Sequence, residues 1–309
     1  MPPPTDNLRG AALMTVSMAA FTINDTFMKS LSDELPLFQA LLLRGIAVSI
    51  LLAGAAWSTG ALRMAIGRRD AFFIGLRTLG EIGAAYFFIT ALFNAPLANM
   101  TAILQALPLT VTLAGALFLR EPIGLPRLVA IVIGFFGVLL IVRPGAAGFD
   151  VYALYGVAAV MGVTIRDLAT RRISAPVPSV TVALAGSLGV ALFAAVGATG
   201  TDWQPMSARA TLQLGGSCLF LIAGYLLSVA VMRSGEIGFI APFRYTGLVW
   251  ALALGYLVFG DWPDEITLAG AGIVVSTGVF TLWRERRLRR RITTTAASYP
   301  GMEPPRGAP

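Results

Sequence analysis

Residues 238–259 read GFIAPFRYTGLVWALALGYLVF. The stretch is roughly 20 residues of mostly apolar sequence, the length a helix needs to cross a bilayer. Inside it stand Pro242 and Arg244, with Tyr245 next in line. An arginine at membrane depth costs at least ~2.5 kcal/mol on the most lenient insertion scales, so it is expected to face a protein interior or a wet cavity. The proline releases a backbone carbonyl that can then act as an acceptor. Everything else in the chain reads as the container for that arginine and its counterparts.

Outward from this stretch the same apolar texture recurs almost without pause. Of 309 residues, 56% are hydrophobic and only 13% charged, with a mean hydropathy of +0.77. A soluble domain carries about twice that charged fraction, so the expected class is an all-α polytopic membrane protein. Histidine is absent and Cys218 is the single cysteine, which removes histidine-based zinc, haem and triad chemistry and any disulfide framework. No metal and no cofactor are expected, and no P-loop motif points to direct use of ATP. The net charge of +7 sits mostly between apolar runs, so membrane topology accounts for it better than nucleic acid does. The first apolar run has no signal-peptide layout and reads as a retained helix.

Ten spans are expected, at residues 9–31, 36–57, 71–92, 97–119 and 124–142, then at 151–169, 178–197, 208–231, 238–259 and 266–283. A cytoplasmic N-terminus puts Arg9, Arg63, Arg68, Arg69, Arg120, Arg127, Arg171, Arg172, Arg233 and the basic run from Arg284 on the inside. Only Arg143 and Arg209 then fall outside, so both termini are expected in the cytoplasm. Short motifs recur at a near-constant offset. Asp25-x-x-x-Lys29 is echoed by Asp167-x-x-x-Arg171, residues 115–121 (GALFLRE) by 255–261 (GYLVFGD), Pro122 by Pro263 and Gly137 by Gly278. Two units follow, 10–145 and 150–285, flanked by a tail at 1–9 and a basic, then disordered, tail at 286–309. Five crossings per unit is odd, so the second unit enters from the opposite face, the inverted repeat of many secondary transporters.

Eight charged residues fall within the spans: Asp25, Lys29, Arg44, Arg77, Glu81, Arg166, Asp167 and Arg244. Asp25 with Lys29, Arg77 with Glu81, and Asp167 with Arg171 are each four apart and share a helix face. Such pairs either ease insertion and fix packing, or serve as gates, with Asp25 toward one face and Asp167 toward the other. Arg44, Arg166 and Arg244 have no acid three or four residues away and need another partner. Arg244 is the leading substrate-binding candidate because Phe243, Tyr245 and Trp250 accompany it and guanidinium offers multidentate bonding and stacking on rings. The alternative is a structural bridge from Arg244 to Glu81 or to an aspartate of the other unit. Glu81 and Arg166 join Asp25, Lys29 and Asp167 as gating or coupling candidates. Tyr86, beside Phe87 and Phe88, suits an aromatic pocket or plain packing. Asn99 and Gln105 flank the span-four counterpart of residues 242–245.

With Asn24-Asp25-x-x-x-Lys29, residues 102–121 (AILQALPLTVTLAGALFLRE) and Ala241-Pro242-Phe243-Arg244-Tyr245 in place, the chain resembles the drug/metabolite transporter superfamily, in its EamA-domain branch. The resemblance covers about residues 10–285 and implies ten helices in two five-helix repeats with a substrate cavity between them. The first-span Asn-Asp…Lys and the Pro-Phe-Arg-Tyr stretch look most similar to bacterial importers of S-adenosylmethionine and of riboflavin. Other relatives export amino acids and related metabolites. The basic excess at membrane depth opposes a cation such as S-adenosylmethionine unless acids cancel it. A neutral, planar, hydrogen-bonding ring such as riboflavin suits arginine and aromatic walls better, so riboflavin uptake leads, with S-adenosylmethionine import and metabolite export as alternatives. The expected setting is the bacterial inner membrane, with the bilayer and a small molecule as partners, no nucleic acid, and a homodimer left open. An intramembrane enzyme would need a Ser–Lys or paired-Asp arrangement, which one lysine and two distant aspartates do not supply, so no catalytic residue is expected.

Overall fold

The computed structural model describes residues 4–61, 66–120, 124–144, 150–232 and 237–298. All the regular structure among them is helical. In chain order the helices are α1 (Pro4–Ser30), α2 (Leu37–Ser58), α3 (Arg68–Asn94), α4 (Leu97–Leu104), α5 (Leu107–Leu119), α6 (Leu125–Val142) and α7 (Val151–Thr170). They continue with α8 (Ser179–Ala198), α9 (Ala208–Met232), α10 (Ile237–Ile240), α11 (Thr246–Phe259) and α12 (Glu265–Ser298). Among the described residues, nine stretches are long and apolar enough to cross a membrane, counting α4 with α5 as one and Ala241–Phe259 as another. α1 has the length, at 27 residues, but is not among the nine.

The burial pattern is that of a protein solvated by hydrocarbon. Large apolar side chains stand outward, among them Leu117, Phe118, Leu192, Leu212 and Leu257, while Ser17, Asn24, Gln39, Gln105, Gln213 and Ser217 are buried. In a bilayer the apolar surface has no reason to hide, and polar side chains gather where they find partners. The main helix pairings are α3 with α7, α1 with α9, α2 with α8, and α6 with α12. Small residues set the closest of these. A Cβ on Gly137 of α6 would stand 2.8 Å from the carbonyl of Gly270 on α12, and one on Gly270 would stand 2.6 Å from that of Gly137. In α2 and α8, Ser49 bonds Ser187 at 2.8 Å beside the Gly45–Ala191 contact.

Four features differ from the sequence expectations. The span at 97–119 breaks at Gln105–Ala106, just before Pro108 enters the first turn of α5. The span at 238–259 opens as α10, tightens to a 3₁₀ turn over Ala241–Tyr245 containing Pro242, and only then becomes α11. α1 starts at Pro4 rather than after a tail, because proline suits the first turn of a helix. α12 runs on through the basic segment to Ser298, since Arg, Glu and Leu are good helix formers and neither Pro nor Gly interrupts them. Arg63, Glu121, Pro122, Arg233 and residues 299–309 lie outside the described residues.

Candidate functional site

The two helix breaks meet. α11 packs on α4, and a Cβ on Gly247, in the first turn of α11, would lie 3.7 Å from Gln105 Nε2. The 3₁₀ turn then divides its side chains. Arg244 is exposed, makes no hydrogen bond or ion pair with another described residue, and lies in the field of Asp167 and Arg166. Tyr245 is turned the opposite way: it is buried against Gly278 of α12, where no side chain larger than hydrogen fits. Phe243 packs with Phe239 against Met14, Val231 and Ile240. Trp250 is exposed on α11. Of the four neighbouring candidates on this stretch, only Arg244 is thus joined to the charged interior.

That interior is built on the α3–α7 crossing. A Cβ on Gly80 would sit 2.7 Å from the Arg166 nitrogen and 2.8 Å from the Gly162 carbonyl. This close approach sets Glu81 against α7. Its carboxylate lies 3.5 Å from Arg77 Nη2 and 3.6 Å from Arg166 Nη1. Arg166 Nε donates to Asp167 Oδ1 at 2.9 Å, and Arg77 Nη1 donates to the Val182 carbonyl of α8 at 3.2 Å. Tyr225 of α9 lies within the field of Glu81, Arg166, Arg44 and Arg77, its ring edge-on to Phe21 at 5.4 Å.

A second polar cluster lies on α1 and α9. Ser217 Oγ donates to Asn24 Oδ1 at 2.9 Å, and Asn24 Nδ2 donates to Asp25 Oδ1 at 2.8 Å. Arg44 of α2 acts on Asp25 and on Cys218. Lys29 does not pair with Asp25. Its ammonium donates to the carbonyls of Ala95 at 2.6 Å and Leu92 at 3.2 Å, and it stands 5.3 Å over the Phe259 ring. A helix end leaves its last carbonyls without intrahelical donors, and the end of α3 offers them to the Lys29 ammonium. Asp167 takes its adjacent neighbour Arg166, a pairing that a search at three and four residues does not consider. Of the expected same-helix pairs, Arg77 and Glu81 are brought to within 3.5 Å.

Tyr86 belongs to an aromatic wall with Phe38, Phe87 and Phe193 at ring distances of 5.3–6.0 Å. Gln105 is buried at the α4–α5 break, and Asn99 Oδ1 is buried without a hydrogen bond. Neither Ser217 nor the buried Gln39 side chain, which bonds the backbone of Gln204, is marked by any motif in the sequence. Ser217 had one available signal, its i, i+4 spacing with Gln213 on a largely apolar helix. Among the described residues no cluster of three or more acidic, histidine or cysteine side chains has the layout of a metal site.

Comparison with known proteins bears on what such an interior serves. Residues 8–143 match the EamA-like transporter family. An S-adenosylmethionine uptake transporter of Rickettsia conorii is 27% identical over 92% of this chain and 96% of its own length. A riboflavin transporter of Vibrio cholerae is 28% identical over 69% of this chain and 72% of its own. A pseudopaline exporter of Pseudomonas aeruginosa is 27% identical over 90% of this chain and 97% of its own. One solved crystal structure superposes with a TM-score of 0.60 at 19% identity, covering 90% of this chain and 98% of its own, a likeness of fold alone.

Proposed function

We propose that the chain is a member of the EamA-like transporter family, whose pattern residues 8–143 match, and that it carries a small organic metabolite across the bacterial inner membrane through a site centred on Arg244. It is a multi-pass membrane protein of transporter type. The proposed architecture adds α1 to the nine apolar stretches, making ten crossings with both termini in the cytoplasm, in two inverted units at 10–145 and 150–285. The helix pairings support this. Exchanging the units turns α3–α7 into α9–α1, and returns α2–α8 and α6–α12 to themselves. The two broken spans are counterparts as well, and their helices end alike, Arg120 and Gly260 both taking left-handed backbone. Discontinuous helices at a repeat interface are where transporters of inverted topology bind substrate.

The observation that carries the substrate reading is the uncommitted guanidinium of Arg244 beside Arg166 and Asp167. Arg44, Arg77, Arg166 and Arg244 face Asp25, Glu81 and Asp167, an excess of one positive charge. Riboflavin, neutral and planar with many acceptors, fits such a field and is the leading substrate, with import as the direction. S-adenosylmethionine import is the second reading, favoured by a relative that aligns over nine-tenths of the chain and by the three carboxylates that cancel most of the arginine charge. Asp25 and Asp167 are proposed to act in gating or coupling at opposite ends of the cavity.

The test is uptake of labelled riboflavin and of labelled S-adenosylmethionine into a bacterial strain lacking its own importer, with wild type and Arg244→Ala side by side. Saturable riboflavin uptake lost in the variant is the expected result. Uptake of S-adenosylmethionine alone favours the second reading. No uptake of either points to export and sinks the import proposal.

A further inference from the structure

Asp25 combines features that the substrate reading leaves unused. It lies on α1, about a turn and a half from the helix end at Ser30, on a helix packed against α3, α4, α9 and α11. Its carboxylate is partly accessible yet forms no ion pair with any described residue. One hydrogen bond reaches it, from Asn24 Nδ2 at 2.8 Å, and Asn24 is itself held by Ser217 Oγ at 2.9 Å. The lysine one turn along α1 is engaged by the Leu92 and Ala95 carbonyls. Arg44 of α2 is the charge from a neighbouring helix that acts on Asp25. Of the other groups near it, Cys218 of α9 is a thiol in the field of the same arginine, and Tyr225 of α9 lies two turns further along with the Glu81–Arg166–Arg77 network. A carboxylate surrounded by protein without a contact cation is stabilised by taking up a proton, which replaces a costly charge with a neutral donor.

By contrast, Glu81 is flanked by two arginines and Asp167 accepts a charged hydrogen bond, so each has a cation in contact. Among these three described acids of the interior, Asp25 is the one without a cation in contact.

We propose that Asp25 is a proton-carrying site that couples transport to the proton gradient: the carboxylate binds one proton when its end of the cavity is open to water and releases it to the opposite side after the halves have moved. No bond other than O–H forms or breaks, and one proton crosses per cycle in the direction of the gradient. The role of Arg44 is to make release possible, since its field favours the anion without clamping it in an ion pair. This deepens the transport reading and rests on it.

The experiment uses the full chain, purified and reconstituted into liposomes of bacterial lipid. Infrared difference spectra between acid and alkaline buffer are recorded for wild type, Asp25→Asn, Asp25→Glu and Asp167→Asn. The expected result is a protonated-carboxyl stretch in wild type and in Asp167→Asn, absent from Asp25→Asn, and moved in Asp25→Glu, whose longer side chain keeps a titrating group should the amide fold poorly. In the same vesicles, an inward proton gradient is expected to raise riboflavin or S-adenosylmethionine uptake several-fold in wild type and not in Asp25→Asn. No carboxyl band in the wild-type difference spectrum, or a band that survives Asp25→Asn unchanged, overturns the proposal. Failure of wild type to move either probe sinks the transport reading instead, and the infrared result still decides the proton site.

Discussion

Arg244 sits at the end of a tightened turn and contributes nothing visible to packing, so its replacement separates binding from folding. Arg244→Ala is expected to leave thermal stability within about 0.5 kcal/mol, as for substitutions away from core contacts, while substrate affinity falls at least tenfold, the loss of one charged hydrogen-bond donor of ~1.5–3 kcal/mol. Binding isotherms and melting curves on the same preparation check both halves. Gly278 gives the converse case. Its Cβ would stand 1.7 Å from the Tyr245 hydroxyl, so Gly278→Ala must displace that ring and is expected to cost about 1–3 kcal/mol, measured as a lowered melting temperature. Outside the membrane, Asp264 accepts a hydrogen bond from Thr267 N–H at 2.8 Å and is paired with Arg143. These hold its carboxyl below the usual range, the Thr267 bond foremost. The stabilisation is present above the ordinary carboxylate pKa and is lost as pH falls through the lowered folded value. Asp264→Asn should therefore lie below wild type in melting temperature near neutrality and converge with it in acid. At this scale the sequence was legible in part. Arg244 stood out because an isolated arginine is expensive in a membrane, whereas the burial of Tyr245 depends on a glycine 33 positions further on, which no local spacing reveals.

The elements themselves follow from composition and length, and their interruptions do not. Apolar runs of about 20 residues locate the crossings, but the same composition reads straight through the breaks at Gln105–Ala106 and Ala241–Tyr245, where Pro108 and Pro242 lie. A proline in a transmembrane helix is compatible with a kink or a full break, and neighbouring helices decide which. Here both breaks meet, with α11 packed on α4 and Gly247 beside Gln105. Pro242→Ala is expected to extend α11 backward through Arg244, rotating the guanidinium away from Asp167 and Arg166. Uptake should fall with little loss of expression, and distances between spin labels on α10 and α11 should lengthen toward those of a straight helix. Unchanged distances would show that packing, rather than the proline, holds the turn. The spacing rule that pairs residues four apart succeeded for Arg77 and Glu81 and missed Lys29, because a helix rule sees one helix, and the carbonyls that capture Lys29 belong to another.

At the scale of the molecule, among the described residues, the hydrogen bonds and ion pairs between the two proposed units are more numerous at one end of the bundle than at the other. At the end that carries Leu31–Asp33, Gln39 and the backbone of Gln204 exchange two hydrogen bonds of 2.7 and 2.9 Å. There Glu34 also engages Ser207 and Arg209, and Arg143 reaches Asp264 and Thr267. At the opposite end, among the described residues, Ser174 N–H donates to Asp70 and the Thr181 hydroxyl donates to the Ala61 carbonyl at 3.3 Å. The exposed members of the charged interior, Tyr225 and Arg244, and the half-buried Asp167 lie on the helix portions nearer that end. A transporter at rest with one end latched and the other open needs its latch to be weak enough to release, and neutral hydrogen bonds of ~1 kcal/mol each meet that requirement. Gln39→Leu removes two of them, so the balance between the end states should move by about 2 kcal/mol, roughly 30-fold, toward opening at the latched end. The shift is measurable in a Cys218→Ser background with Tyr225→Cys as reporter, labelled by a membrane-impermeant maleimide added to one side at a time. Labelling from the side of Gln39 should rise and labelling from the other side should fall by a matching amount, because a two-state element trades one exposure for the other. A rise on both sides would mean instead that the substitution has loosened the bundle, and that the Gln39–Gln204 pair is a structural tie rather than a gate.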